Sequence, residues 1–447
     1  MDSGVDQGSW SDDKAVRSAP ERFGLRSING SLWIEGVSLA RIAIDVGTPT
    51  YVYGMAYVEE RVRELQQGLS PRPHLVCYAV KANSSQALLR QLTTWGVGAD
   101  IVSGGELKRV LAVGMDPHKI VFSGVGKRDD EIDAALAAGL RSINIESLEE
   151  LERVAARAKT TATVAPVSLR INPDVDSQTH PYLATGLEES KFGVSMTEGV
   201  ALAERARSLG SIELVGLACH IGSQIVEEQP FLAALARMCL LIGQLAAKDM
   251  RIRQLDVGGG LGIAYRPGER PADGRAWAAA IAHATADLEA EIVIEPGRYL
   301  VGNAGVLLTR VIGRKETQHK RFVIVDAAMN DLLRPALYDA HHTIVSVEPP
   351  PPTPLGSGSV REIVSVDVVG PVCECGDFLA QGRRMPWPES GEVLAVLSAG
   401  AYGMTMASNY NTRPLPAEVI VSGDRMFVAK KRVSIDALIA AEHLPEW

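Results

Sequence analysis

The sequence predicts an α/β fold: a (β/α)8 barrel of the TIM type followed by a C-terminal antiparallel β-domain, barrel or sandwich. Three observations predict it. Eight apolar, β-rich runs recur at 75–80, 98–102, 119–123, 142–145, 166–171, 214–219, 252–257 and 291–294. Stretches with helical spacing separate them, at 84–96, 105–114, 129–138, 147–158, 196–208, 228–248 and 276–288. Strands alternating with helices are the pattern of a parallel sheet, and eight of them close a barrel. Near residue 310 the alternation stops. Val- and Ile-rich runs at 321–326, 361–369, 392–398, 417–421 and 426–432 follow, mostly without helices between them, as an antiparallel β-domain requires. An open doubly wound sheet is the structural alternative. The count of eight and the lack of a Gly-x-Gly-x-x-Gly turn after the first strand weigh against it.

In chain order, residues 1–22 are polar, lack the apolar core of a secretory signal, and read as a disordered or loosely docked extension. Residues 23–46, with Leu25, Ile28, Leu32 and Ile34 in loose alternation around a turn at Gly30, read as a segment with a short strand or hairpin. The barrel is assigned to 47–310 and the β-domain to 311–447. The segment 172–193 follows the fifth strand, is long for a barrel loop and carries glycine and proline, so it reads as a lid. The proline-glycine-serine stretch at 348–358 cannot enter a sheet interior and reads as an exposed connection.

Composition narrows the function. A chain of 447 residues, 46% hydrophobic and 22% charged, is an ordinary globular protein with a large core. A net charge of -9 with no basic cluster argues against nucleic acid and anionic membranes as partners. No apolar run reaches the length expected of a membrane span. The five cysteines are odd in number and match no disulfide framework, which points to a reducing compartment, the cytoplasm. Cys373 and Cys375 have only acidic neighbours as further ligands, so no metal site is expected.

Active sites of such barrels form at the C-terminal ends of the strands, and the polar residues gather there. Lys81 ends the first strand run, in which six of the seven side chains from His74 to Val80 are apolar or aromatic. Buried there, its amine would have a lowered pKa and act as a nucleophile towards an aldehyde; the alternative is a lysine snorkelling to solvent. Asp100, Ser103 and Glu106 follow the second strand, Arg170 and Asn172 the fifth, His220 and Ser223 the sixth, and Glu295 and Arg298 the eighth. Gly258, Gly259 and Gly260 follow the seventh and leave backbone N–H groups open to a phosphate. A candidate Schiff-base lysine and a phosphate loop together indicate pyridoxal 5′-phosphate. Glu295 is the carboxylate that can hold its pyridine nitrogen protonated, and His220 an imidazole that can lie on its ring. Arg298 has two candidate partners, Glu106 or a substrate carboxylate.

The runs YAVKAN (78–83), HIGSQI (220–225), GGGLGI (258–263), EPGR (295–298), CECGD (373–377) and GAYGM (400–404) resemble the diaminopimelate decarboxylase family. That family lies within the alanine-racemase-like, fold-type III group of pyridoxal-phosphate enzymes. The resemblance runs from about residue 25 to the C-terminus. It implies that the segment 23–46 joins the β-domain and that the chain forms a head-to-tail homodimer with shared active sites. It implies Lys81 as the Schiff-base lysine, His220 stacked on the cofactor, and Ser223, Gly258, Gly259, Gly260 and Tyr402 around its phosphate. The EPGR run, Glu295, Pro296, Gly297 and Arg298, is likewise given to the cofactor. Arg298, Arg334, Tyr338 and Tyr402 fall to the substrate, meso-2,6-diaminopimelate. Cys373 would return the proton and Glu374 hold the distal ammonium, both from the second subunit. Cys375 stands where the family often has serine and puts a second thiol nearby.

The implied reaction is decarboxylation to L-lysine and carbon dioxide, the last step of lysine biosynthesis. Three rivals are weighed on single residues. An alanine racemase is expected to place arginine at the pyridine nitrogen, where this chain has Glu295. Decarboxylases of ornithine, arginine or carboxynorspermidine should offer an acid to the distal amine, and Arg334 speaks against them. A non-catalytic regulatory homologue would have no reason to keep Lys81, Glu295 and Cys373.

Overall fold

A computed structural model describes residues 12–175, 191–349 and 361–447. The chain divides into two compact units, Val58–Ile263 with Arg270–Leu300, and Met1–Tyr57 with Ala264–Glu269 and Val301–Trp447.

The first unit is the barrel. Its strands are β1 (His74–Ala79), β2 (Gly98–Ile101), β3 (Ile120–Phe122), β4 (Ser142–Ile145), β5 (Ala165–Asn172), β6 (Ile212–Ala218), β7 (Gln254–Asp256) and β8 (Glu291–Ile294). Each pairs in parallel with the next, and the circle closes where β8 returns to β1, Ile292 opposite His74. All eight fall on the apolar runs, because strands covered on both faces must be apolar almost throughout. The seven expected helices form as well. An eighth, Met55–Leu69, precedes β1; its Met55, Val58, Val62, Leu65 and Leu69 are buried at helical spacing. Serines start several of the helices. Ser103 accepts from Glu106 N, Ser147 from Glu150 N, and Ser195 forms a full capping box with Glu198. Gln229–Ala246 is, contrary to expectation, long and apolar enough by length and composition to cross a membrane. Here it buries one face, including Phe231, Leu235, Met238 and Leu245, beside the helices Met196–Ser208 and Gly274–Ala284.

The second unit is mostly strand. Its main sheet runs Phe378–Pro386, Ile363–Val369, Arg321–Val325, Gly305–Glu316, Thr50–Gly54, Ala417–Ser422 and Arg425–Lys430. Val393–Val396 also pairs with Gly305–Glu316, and Ile344–Ser346 pairs with Val393–Val396. Two pairings are parallel, Arg321–Val325 with Ile363–Val369 and Thr50–Gly54 with Ala417–Ser422. The early part of the chain contributes a three-stranded sheet, Arg26–Ile28, Ser31–Ile34 and Val37–Ser38. Its Leu32 and Ile34 share one apolar cluster with Val306, Leu308, Ala395 and Val419.

Of the two readings of residues 1–22, disordered or loosely docked, the docked one describes the part from Asp12 onward. Residues 1–11 lie outside the described residues, but Asp12–Ser18 is helical and is followed by a 3-10 turn, Pro20–Phe23. Val16 and Phe23 reach the apolar cluster, and Arg17 donates to the carbonyls of Gly30 and Ser346. A few apolar anchors in a polar stretch sufficed to order it. Most of the expected lid, 172–193, and of the proline-rich connection, 348–358, lies outside the described residues.

Candidate active site

The strand ends β1, β2, β6, β7 and β8 gather the predicted barrel residues at one mouth. Lys81 sits in a 3-10 turn, Val80–Ala82, directly after β1. Its expected desolvation is not found. The side chain is 40% exposed and its Nζ lies 2.7 Å from Oδ2 of Asp100, which is fully buried. The amine is therefore held by a carboxylate, on a side chain that is partly open to solvent.

Glu295 follows β8 and is 8% exposed. Asn144 donates to Ser123 at 3.1 Å, and Ser123 Oγ lies 3.5 Å from Glu295 Oε1. Asp256 ends β7, is hydrogen-bonded to Glu295, and accepts from Gly258 N at 2.9 Å. Burial drives both carboxyls up, Asp256 to about 7 and Glu295 well above the ordinary range, and the charge of Asp100 adds to each shift. Oδ1 of Asp100 is buried without a hydrogen-bond partner, and Oδ2 of Asp256 has none beyond the Glu295 carboxyl. Three carboxyl groups thus share this mouth, with the Lys81 ammonium as the cation acting on Glu295.

His220 follows β6, and its Nδ1 accepts from Gly259 N at 3.2 Å. Desolvation, then the charges of Arg170 and Lys81, push its pKa well below the usual value, so the ring is neutral. The glycine run earns its residues by close approach. A Cβ at Gly258 would lie 2.4 Å from Cys219 O, at Gly259 2.1 Å from Glu295 O, and at Gly260 2.3 Å from Gly222 O. Gly258 and Gly260 also have φ of +73° and +108°. The N–H groups of Gly258 and Gly259 are taken by Asp256 and His220, which leaves Gly260 as the loop's open donor among the described residues.

Of Arg298's two candidate partners, Glu106 turns back to accept from Val102 N at 2.7 Å, while Arg298 Nη2 donates to Ser223 Oγ at 3.0 Å. Pro296 O accepts from Ala79 N at 3.1 Å, and a Cβ on Gly297 would press on Ala79 and Ala82 at 3.1 Å. Both residues hold the Lys81 turn against β8. Ser103, Arg170 and Asn172 also prove structural. Ser103 caps a helix, Arg170 pairs with Glu146 at 3.2 Å, and Asn172 Nδ2 donates to Phe192 O at 2.5 Å.

The remaining candidates belong to the β-unit. Arg334 and Tyr338 begin and end a short helix; Arg334 is 7% exposed and Tyr338 37%. Cys373, Glu374 and Cys375 are exposed on a tight loop. Asp377 fixes that loop by accepting from Val372 N and Met329 N at 2.7 Å each, and Asn411 Oδ1 accepts from Cys373 N at 2.9 Å. Tyr402 has φ of +56° in the turn after Val393–Val396. Reading the residues alone assigned no role to Asp256, Tyr265 or His342. Asp256 carried a signal, an acid ending an apolar run; the other two carried none.

The barrel mouth suits pyridoxal 5′-phosphate. An open amine meets an aldehyde, the buried Glu295–Asp256 pair suits a protonated ring nitrogen, and Ser223 with Gly260 N–H suits a phosphate. Residues 55–302 match the family described as "Pyridoxal-dependent decarboxylase, pyridoxal binding domain", which sets the class of the protein. Diaminopimelate decarboxylase of Pseudomonas aeruginosa is 50% identical over 93% of this chain and 98% of its own. The Helicobacter pylori diaminopimelate decarboxylase complexed with L-lysine superposes with a TM-score of 0.84 at 38% identity, covering 90% of this chain and 98% of that one. The M. jannaschii enzyme in co-complex with L-lysine gives 0.87 at 33%, covering 94% and 98%. The chain belongs to the diaminopimelate decarboxylase family.

Proposed function

We propose that this chain decarboxylates meso-2,6-diaminopimelate to L-lysine and carbon dioxide with pyridoxal 5′-phosphate. The observation that carries the reading is the partly exposed Lys81, held by Asp100, at the same mouth as the buried carboxyl pair Glu295 and Asp256, which burial drives towards the protonated form. When bound, the cofactor supplies an electron-withdrawing ring for the electron pair left by carbon dioxide. Lys81 would hold the cofactor by its aldehyde carbon in the resting enzyme. Glu295, backed by Asp256, keeps the ring nitrogen protonated. Neutral His220 lends a flat face without adding charge. Ser223, steadied by Arg298, joins Gly260 and Tyr402 at the phosphate.

The substrate's distal end is an amino acid that must be kept intact. Arg334, Tyr338 and Arg298 hold its carboxylate, and Glu374 its ammonium. The Cys373 thiol gives its proton to the α-carbon after carbon dioxide leaves. In a head-to-tail homodimer, Cys373 and Glu374 complete the site of the partner subunit, which fits their exposed, tightly braced loop. All five cysteines are free, which suits a reducing compartment, and we place the enzyme in the cytoplasm.

Product analysis of the purified enzyme tests this. With meso-diaminopimelate and ornithine offered separately, L-lysine and carbon dioxide should form in equal amounts from the first. Faster turnover of ornithine to putrescine would overturn the assignment.

A further inference from the structure

Arg334 Nη1 lies 2.8 Å from His342 Nε2, and His342 Nδ1 lies 2.9 Å from the carbonyl of Leu397. A carbonyl only accepts, so Nδ1 carries the proton and Nε2 presents its lone pair to the guanidinium. Charging the ring would set N–H against N–H, so His342 is fixed as a neutral acceptor. It is fully buried. Tyr265 completes the cradle. Its ring lies under the Arg334 guanidinium at 4.8 Å and meets the His342 ring edge-on at 5.4 Å. Thr343 Oγ1 donates to Tyr265 O at 2.9 Å and pins that residue in turn.

None of these contacts neutralises the arginine. An imidazole lone pair and an aromatic face orient the guanidinium and bring no negative charge of their own to it. We infer that His342, with Tyr265, is a positioning residue that aims Arg334 at the distal carboxylate and so sets the preference for substrates that carry one. This rests on the reading of Arg334 as the clamp for that carboxylate.

The product supplies the probe, because L-lysine keeps the distal carboxylate and cadaverine is the same chain without it. Inhibition by each is measured in His342→Leu, His342→Asn, His342→Gln and Arg334→Ala, with kcat and KM for meso-diaminopimelate and a melting curve for every variant. His342→Leu should weaken lysine about tenfold and raise KM alike, with kcat within about twofold and cadaverine unmoved. Gln can present an amide oxygen near the place of Nε2 and should restore most of the lysine preference, whereas the shorter Asn should not. Should the Leu variant fail to fold, the Gln–Asn comparison decides the matter. Equal lysine-to-cadaverine ratios in Gln and Asn, or parallel losses for both ligands in Leu, would overturn the positioning role. If Arg334→Ala also leaves the ratio unchanged, the clamp reading itself falls; if Arg334→Ala collapses it and the His342 variants do not, only the present inference fails.

Discussion

Replacing Asp256 by Asn should change how the cofactor-free enzyme responds to pH. The folded carboxyl has its pKa raised by burial to about 7 from an ordinary value near 3.8. Between those values the native protein holds a proton that the unfolded chain has released. Stability therefore falls as pH rises through that window, and the loss is complete above pH 7. A gap of about three units corresponds to at most about 4 kcal/mol. Hydrogen bonding to Glu295 and local relaxation bring the expectation to about 2–3 kcal/mol. Asparagine keeps the oxygen that accepts from Gly258 N and places an amide where the Glu295–Asp256 proton lies. It has nothing to titrate. For a unit the size of the barrel, about 1 kcal/mol moves the melting point by roughly 2–4 °C. The variant should thus melt about 5–10 °C above wild type at pH 8, roughly a third of that above it at pH 5, and close to it near pH 4. Asp331, also raised to about 7 by burial, pushes both proteins the same way and cancels in the comparison. Thermal melts of the two apoproteins from pH 4 to 8.5 are sufficient. Parallel curves would mean that Asp256 is not a proton-holding group and that the carboxyl pair is not strained as described.

Three further outcomes are expected. Borohydride reduction of the yellow holoenzyme should fix the cofactor to Lys81, read by peptide mass; an adduct on another lysine removes the organising residue of the site. Gly259→Ala should lose about 1–3 kcal/mol or more and most of its cofactor affinity in equilibrium dialysis, since its Cβ meets the backbone of Glu295 at 2.1 Å, whereas Gly126→Ala, with nothing within 4 Å, should behave as wild type. Lys81→Ala and Cys373→Ala proteins, each nearly inactive, should recover roughly a quarter of wild-type activity when mixed and allowed to exchange, because one site in a mixed two-fold dimer inherits both lesions and the other neither; no recovery in doubly tagged dimers would refute the shared site.

The barrel was legible because its strands are buried on both faces. Each is a short apolar run bounded by polar residues, and the helices between carry capped, amphipathic patterns. What escaped were elements whose partners lie far away in sequence. Thr50–Gly54 is all buried and β-rich, but it pairs with Gly305–Glu316 and Ala417–Ser422, so nothing local separates it from the barrel that follows. Gly305–Glu316 changes from continuous burial to exposure along its length, because two strands flank its first half and its second half pairs with Arg321–Val325. No single period describes it.

Position in the site was legible; role was less so. Strand-end polar residues share one signal whether they serve chemistry or hold a loop. Ser103 and Glu106 could have been separated out, since Ser-x-x-Glu before a helical pattern announces a cap. The Arg170–Glu146 pair depends on β4 lying beside β5, and the tautomer of His342 depends on the Leu397 carbonyl, which no spacing rule reaches. The carboxyl cluster sets the deeper distinction. Glu106, Glu146 and Glu150 each bind backbone N–H groups and stabilise the fold that buries them. Asp100 leaves one buried oxygen without a partner, Asp256 has one with only another carboxyl, Glu295, to meet it, and the pKa of Glu295 is forced upward. A fold selected for stability alone would pair or replace such groups. Their place in the barrel mouth makes sense when a cation arrives from outside the chain, and the protonated ring nitrogen of the proposed cofactor would be a cation of that kind.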